Sequence, residues 1–166
     1  MFKPLGTFTV SANSSDLTID NIFTSDYGVY QIIADNLIAN SSESTITMQL
    51  INSGGVVDET AYEWNGYRFD SSQVSTATIN STDDTKFDEL TKAGTTADAG
   101  GFFMYVYNPG LSAKTFVQYK GVYAKNAAAQ SVDMKGFQNT GEVHRGIKLS
   151  FSTNLDSGNI NIYGVG

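Results

Sequence analysis

The chain has 166 residues, enough for one complete hydrophobic core and too few for two. Its net charge is −7 with only ten Lys and Arg and no basic run, so it lacks the cationic surface that nucleic acid requires. No apolar stretch approaches the ~20 residues that span a bilayer, and the absence of cysteine removes disulfides, thiolate metal sites and cysteine nucleophiles together.

Charged residues make up 16% of the chain, against about 25% in an average soluble protein. The polar surface must therefore come from Ser, Thr, Asn, Gln and Gly, residues that compete with a helix backbone for hydrogen bonds and suit turns and sheet surfaces. The opening residues Met1 to Gly6 lack the apolar run of a signal peptide, so synthesis and first folding in a cytoplasm are expected.

In chain order, Phe2, Leu5 and Phe8 fall in a segment, residues 1–20, that is either an N-terminal docking segment or the first strand. Tyr27 to Ala39 is rich in β-branched and aromatic residues and reads as one long strand, bent near Asp35-Asn36. From 44 to 51, Ile46, Met48 and Leu50 alternate with Thr45, Thr47 and Gln49, and Asn52-Ser53-Gly54-Gly55 marks the turn that follows. Ala61 to Phe69 carries Tyr62, Trp64, Tyr67 and Phe69, with Gly66 expected to break the alternation as a bulge.

Val74 to Ile79 adds a short strand. Asp83 to Gly94 is the one expected helix: acidic residues lead it, Phe87 and Leu90 are three apart, Lys92 comes late and Gly94 stops it. The polar stretch from Asp70 to Gly100 that contains it reads as an insertion at one end of the fold. Phe102 to Tyr107 is apolar on both alternating faces, the mark of a strand buried on two sides, and Asn108-Pro109-Gly110 ends it, with Gly110 in the left-handed position. Lys114 to Ala124 is a further strand. Val143, Arg145, Ile147, Leu149 and Phe151 then share one face, with His144 on the polar one. A turn at Asn154 to Gly158 precedes a last strand running from Asn159 to the final residues.

About eight strands spaced by turn signals predict a single all-β domain over 1–166, an antiparallel jelly-roll-like β-sandwich with one short helix in an insertion. Chemistry is sparse. His144, the sole histidine, has no Gly-x-Ser-x-Gly elbow beside it and is expected in solvent. Asp58, Glu59, Glu63 and Asp70 could supply the carboxylate pair of a glycosidase, but Glu63 should face away from Tyr62 and Trp64 on a regular strand. The acidic group Asp83, Asp84, Asp88 and Glu89 lacks the spacing of a calcium loop. No catalytic residue, metal site or cofactor is therefore expected. Tyr62, Trp64 and Tyr67 are the candidate contacts for a glycan or a partner, although a core role is the more usual one, since the single Trp of a small sandwich generally anchors its packing.

The segment order resembles the small jelly-roll virion proteins of tailed bacteriophages, of the head-decoration and tail-fibre kind. The resemblance is carried by the strand after Asp26-Tyr27, the aromatic stretch at Tyr62, the tyrosine-rich strand before Asn108-Pro109 and the lysine-led strand at Lys114. The close, Gly146-Ile147-Lys148-Leu149-Ser150-Phe151 and then Ile160-Asn161-Ile162-Tyr163-Gly164-Val165, carries it furthest. Many such proteins have a tryptophan near the position of Phe137, where this chain departs from the pattern, so residues 125–142 have no assigned register. The resemblance implies a non-enzymatic virion structural protein, a capsid decoration (cement) protein or a small fibre module, homotrimeric and bound to major capsid or tail proteins. The alternative is a carbohydrate-binding module that recognises host-surface glycans.

Overall fold

The computed structural model describes residues 1–71, 75–95, 98–125 and 128–166. The chain begins with β1 (Phe2–Thr9), β2 (Ser14–Ile19), β3 (Val29–Ala39), β4 (Ser44–Asn52), β5 (Gly55–Val56) and β6 (Tyr62–Asp70). It continues with β7 (Ser75–Asp84), β8 (Phe87–Ala93), β9 (Gly100–Tyr107), β10 (Thr115–Lys125), β11 (Ala128–Gln138) and β12 (Gly146–Val165). The fold is all-β and antiparallel, with the hydrogen-bonded path β5-β4-β12-β3-β9-β10-β11-β6-β7. Strands β1 and β2 attach to β12, and β8 to β4.

The twenty-residue β12 organises the sheet. Its first part, Gly146 to Phe151, lies between β2 and β4, and its last part, Asn159 to Val165, lies between β1 and β3. The Asn154–Gly158 stretch expected to reverse the chain instead shifts the register, and one strand passes from one half of the sheet to the other. Bulges bend strands in this manner. The sheet curls so far that β8, although paired with β4, lies against β10, β9 and β11. Between these layers sit Tyr30, Ile32, Met48, Met104, Tyr119, Leu149 and Ile162, all removed from solvent.

Among the described residues there is no helix, and Asp83 to Gly94 is a correction to the sequence reading. Asp84 and Asp88 accept the backbone N–H groups of Thr85 and Glu89, the local bonding by which Asp competes with helix formation. Phe87 and Leu90 do share one buried face, but through a bulge. Ile46 and Met48, two apart on β4, pair with Thr91 and Phe87, four apart on β8, and Glu89 takes a left-handed φ of 47° between them.

Other expectations fare differently. The bend in β3 falls at Asp35-Asn36, where the register breaks and Asn36 has φ 52°. Gly66 makes no bulge: β6 pairs with β11 without interruption from Tyr62 to Asp70. A Cβ at Gly66 would come within 2.1 Å of the Asp133 carbonyl, so close strand approach is the reason for glycine. After β9 the left-handed residue is Asn108, at φ 60°, not Gly110, whose missing Cβ instead leaves room for the Thr24 carbonyl at 2.2 Å. Strand β9 is buried on one face only: Phe102, Met104 and Val106 face inward, whereas Phe103 is exposed and Tyr105 and Tyr107 half-buried. The Asp70–Gly100 stretch, of which 72–74 and 96–97 lie outside the described residues, supplies β7 and β8 to the sheet.

Candidate functional site

The strand β12 starts at Gly146, so the alternation that should have aimed His144 at solvent is not in force there. Residues 141–145 run as irregular chain, and the His144 N–H donates to the Pro109 carbonyl at 2.7 Å. The imidazole is fully buried, a correction to the expected solvated side chain. Its Nδ1 lies 2.8 Å from Thr115 Oγ1, and its Nε2 is 3.5 Å from Glu142 Oε1, an ion-pair contact longer than a good hydrogen bond. Asn52 donates to Glu142 Oε2 at 2.7 Å, and Thr140 Oγ1 is 2.8 Å from Oε1.

Burial holds the His144 pKa below its ordinary value, because a charged imidazole would lose its hydration. Burial alone would raise the Glu142 carboxyl. The hydrogen bonds from Thr140 and Asn52 and the nearby imidazole outweigh it and leave that pKa lowered. Thr115, His144 and Glu142 thus stand in the order of a hydroxyl nucleophile, a base and its orienting acid. Thr115 and His144 are both at 0% exposure, so no substrate reaches the hydroxyl, and the chain of contacts ties β10 to the segment before β12.

Tyr62, Trp64 and Tyr67 are divided between two faces by the regular pleat of β6. Tyr62 is in the core: its phenol donates to the Val57 carbonyl and accepts the Leu50 N–H, each at 2.9 Å, and its ring meets Phe87 edge-on at 4.9 Å. Burial pushes its pKa upward. Trp64 packs against the core from the same side, half-buried, opposite Gly136. Tyr67 points the other way and is 51% exposed. The N-terminal trio lies on β1: Phe2 is exposed against Tyr163, with ring centroids 6.5 Å apart, while Leu5 and Phe8 pack on the core.

Glu63 lies on the outer face and accepts a hydrogen bond from Asn139 at 3.1 Å. Asp58 and Glu59 are exposed in the loop before β6, and Asp70 accepts from Gln130 at 2.9 Å. Glu89 is taken by Arg68 through both oxygens, at 2.8 and 3.0 Å. Among the described residues no three His, Asp or Glu side chains come together as a metal ion would need.

The widest feature that sequence reasoning missed is the outer face of the larger half-sheet, from β1 across β12, β3, β9, β10 and β11 to β6 and β7. The strand register lines up its side chains in rows. One runs Phe2, Val165, Val29, Tyr107, Phe116, Phe137, and the next runs Pro4, Tyr163, Gln31, Tyr105, Gln118, Lys135. Along β9 the rings of Phe103, Tyr105 and Tyr107 follow one another at 6.5 and 6.4 Å. The Gln31 amide donates to the Tyr105 phenol oxygen at 2.9 Å. A groove of about 680 Å³ crosses this face between Ile33 on β3 and Phe69 on β6, over the Lys120–Asp133 ion pair of 2.8 Å. A second, of about 430 Å³, lies among Asn65, Asn80, Tyr107, Phe116 and Phe137, with Trp64 at its wall. The signal in the sequence was the run Phe103-Met104-Tyr105-Val106-Tyr107, whose odd members are aromatic and whose even members are aliphatic.

No family model matches the chain, and no curated protein matches it. Among solved structures it is similar to alginate lyase AlgAT5 from polysaccharide lyase family 7, at 15% identity and a TM-score of 0.31 over 95% of this chain and 74% of that one. It is also similar to an alginate lyase from Alteromonas sp. 272, at 8% identity and a TM-score of 0.27 over 94% and 84% of the two chains. A fructofuranosidase from Schwanniomyces occidentalis matches at 10% identity and a TM-score of 0.26, over 99% of this chain and 34% of the other. At such scores the likenesses carry no argument about function.

Proposed function

We propose that the chain is a structural component of a bacteriophage virion, a capsid decoration protein or small fibre module with a jelly-roll fold, that acts through contacts with copies of itself and with other virion proteins. The observation that supports this reading is the outer face: wide, and lined with the aromatic side chains of Tyr163, Phe103, Tyr105, Tyr107, Phe116 and Phe137, with Lys120 and Asp133 on it paired to each other. Aromatic residues are enriched and charges depleted where proteins meet. The His144 contacts, being sealed, serve stability in this reading. Mass spectrometry of purified particles from the phage that encodes the chain tests it. Copies in proportion to a capsid or tail protein are expected, and absence from the particle refutes the reading.

A second reading, a carbohydrate-binding module, is favoured by the rings of Tyr105 and Tyr107 beside the amides of Gln31 and Gln118. Sugar rings stack on flat aromatic faces, and their hydroxyl groups pair with amides. The contact set then moves from Tyr62 and Trp64 to β9 and its neighbours. Trp64, the only tryptophan, borders the smaller groove, so its fluorescence reports occupancy. A saturable change with an oligosaccharide that is lost in Tyr105→Ala supports this reading, and no response across neutral and acidic oligosaccharides refutes it.

A further inference from the structure

A sheet edge presents unpaired N–H and C=O groups to any extended chain, and proteins blunt such edges with short strands, lysine, proline or bulges. Among the described residues, four of the five free edges are blunted. Strand β1 carries Lys3 and Pro4 and a register shift between Pro4 and Gly6. Strand β2 has six residues, with Asp16 among them, and its pairing with β12 breaks after Ser150. Strand β5 has two residues. Strand β8 is bulged, holds Asp88, Glu89 and Lys92, and leans across β9 and β10.

Strand β7 is different. It has ten residues, of which Asp83 and Asp84 close it beyond a register shift, ends the strand path and, among the described residues, pairs only with β6. From Ser81 back to Ser75 its register is unbroken, and Thr76, Ala77 and Thr78 are exposed. The eight residues Ser75-Thr76-Ala77-Thr78-Ile79-Asn80-Ser81-Thr82 contain no charge, no proline and no glycine. In a chain of net charge −7, this is a long edge that a second copy can approach without like charges meeting.

We infer that β7 is an assembly edge, where it pairs antiparallel with β7 of a second copy about a two-fold axis. This rests on the assembly reading above and names its interface. A two-fold contact is self-complementary and closes at two copies, so the sheet becomes continuous across the pair without growing into a fibre. The outer faces of both copies then form one surface, with Tyr67 and Phe69, the neighbours of Thr78 and Thr76 on β6, flanking the seam. A three-fold particle contact would use a different surface.

Light scattering on the full chain tests the inference. The wild type is expected at twice the chain mass. Thr78→Lys and Thr78→Glu change an exposed side chain near the axis, so each variant should keep the wild-type circular dichroism while its dimer weakens by about tenfold or more. Mixing the two should restore the double mass, because opposite charges then face each other. A wild-type monomer at high micromolar concentration, or a mass that neither variant changes, overturns the inference. Failure of the virion reading shows separately, as absence of the chain from particles that leaves the dimer intact.

Discussion

Replacing Tyr62 with Phe removes one oxygen and leaves the ring against Phe87 in place. That oxygen accepts the Leu50 N–H and donates to the Val57 carbonyl. The carbonyl keeps a second, longer contact from the Gln49 amide at 3.4 Å, but the N–H is left without its partner where Leu50 is wholly buried. An unsatisfied buried donor costs about 1–3 kcal/mol. For a domain of this size that corresponds to a fall in Tm of about 2–12 °C. Urea unfolding followed by Trp64 fluorescence should show the midpoint lowered with the slope unchanged, since the surface exposed on unfolding is the same. Tyr105→Phe is the matched control. Its phenol lies on the outer face, where among the described residues the Gln31 amide is its one hydrogen-bond partner, and the variant's stability should stay within about 0.5 kcal/mol of wild type. An unchanged midpoint in Tyr62→Phe would refute the packing argument and return Tyr62 to the candidate contact residues.

Stability should fall in acid. The folded-state pKa of His144 lies below its ordinary 6.5, so the unfolded chain binds the extra proton first and stability declines as pH drops through 6.5. The lowered Glu142 pKa adds a loss below its ordinary 4.5. His144→Gln should flatten the difference between urea midpoints at about pH 7.5 and about pH 5.5, and an equal slope in the variant would remove His144 as its source. Gly66→Ala should cost about 1–3 kcal/mol or more, because the new methyl group meets the Asp133 carbonyl and β6 and β11 must part; a thermal melt within 1 °C of wild type would contradict that geometry.

How far the sequence could be read depended on whether a pattern was local. Strand β4 was legible because Ile46, Met48 and Leu50 alternate within one strand, and the bend in β3 because Asn36 tolerates the left-handed region. Strand β11, over Ala128–Gln138, had no assigned register: its half-buried alternation depends on partners in β10 and β6 that are distant in sequence. The helix failed for a related reason. A two-residue excess on β8 relative to β4 produces the same three-residue spacing of Phe87 and Leu90 as a helical turn, and only the cross-strand register separates the two. His144 failed because its face was inferred from a strand that begins two residues later.

The same distinction explains the candidate contact residues. Proximity in sequence made Tyr62, Trp64 and Tyr67 look like one platform, but a pleated strand sends neighbours to opposite faces, and odd spacing divides Tyr62 from Tyr67. A surface on a sheet is assembled across strands. Phe116 on β10, Tyr107 on β9 and Val29 on β3 become neighbours only once the register is known, and the contiguous face belongs to no single segment of sequence. The edge of β7 is the opposite case. Its lack of charge, proline and glycine is written in eight consecutive residues, yet it acquires meaning only from the topology, in which no described strand lies on its far side.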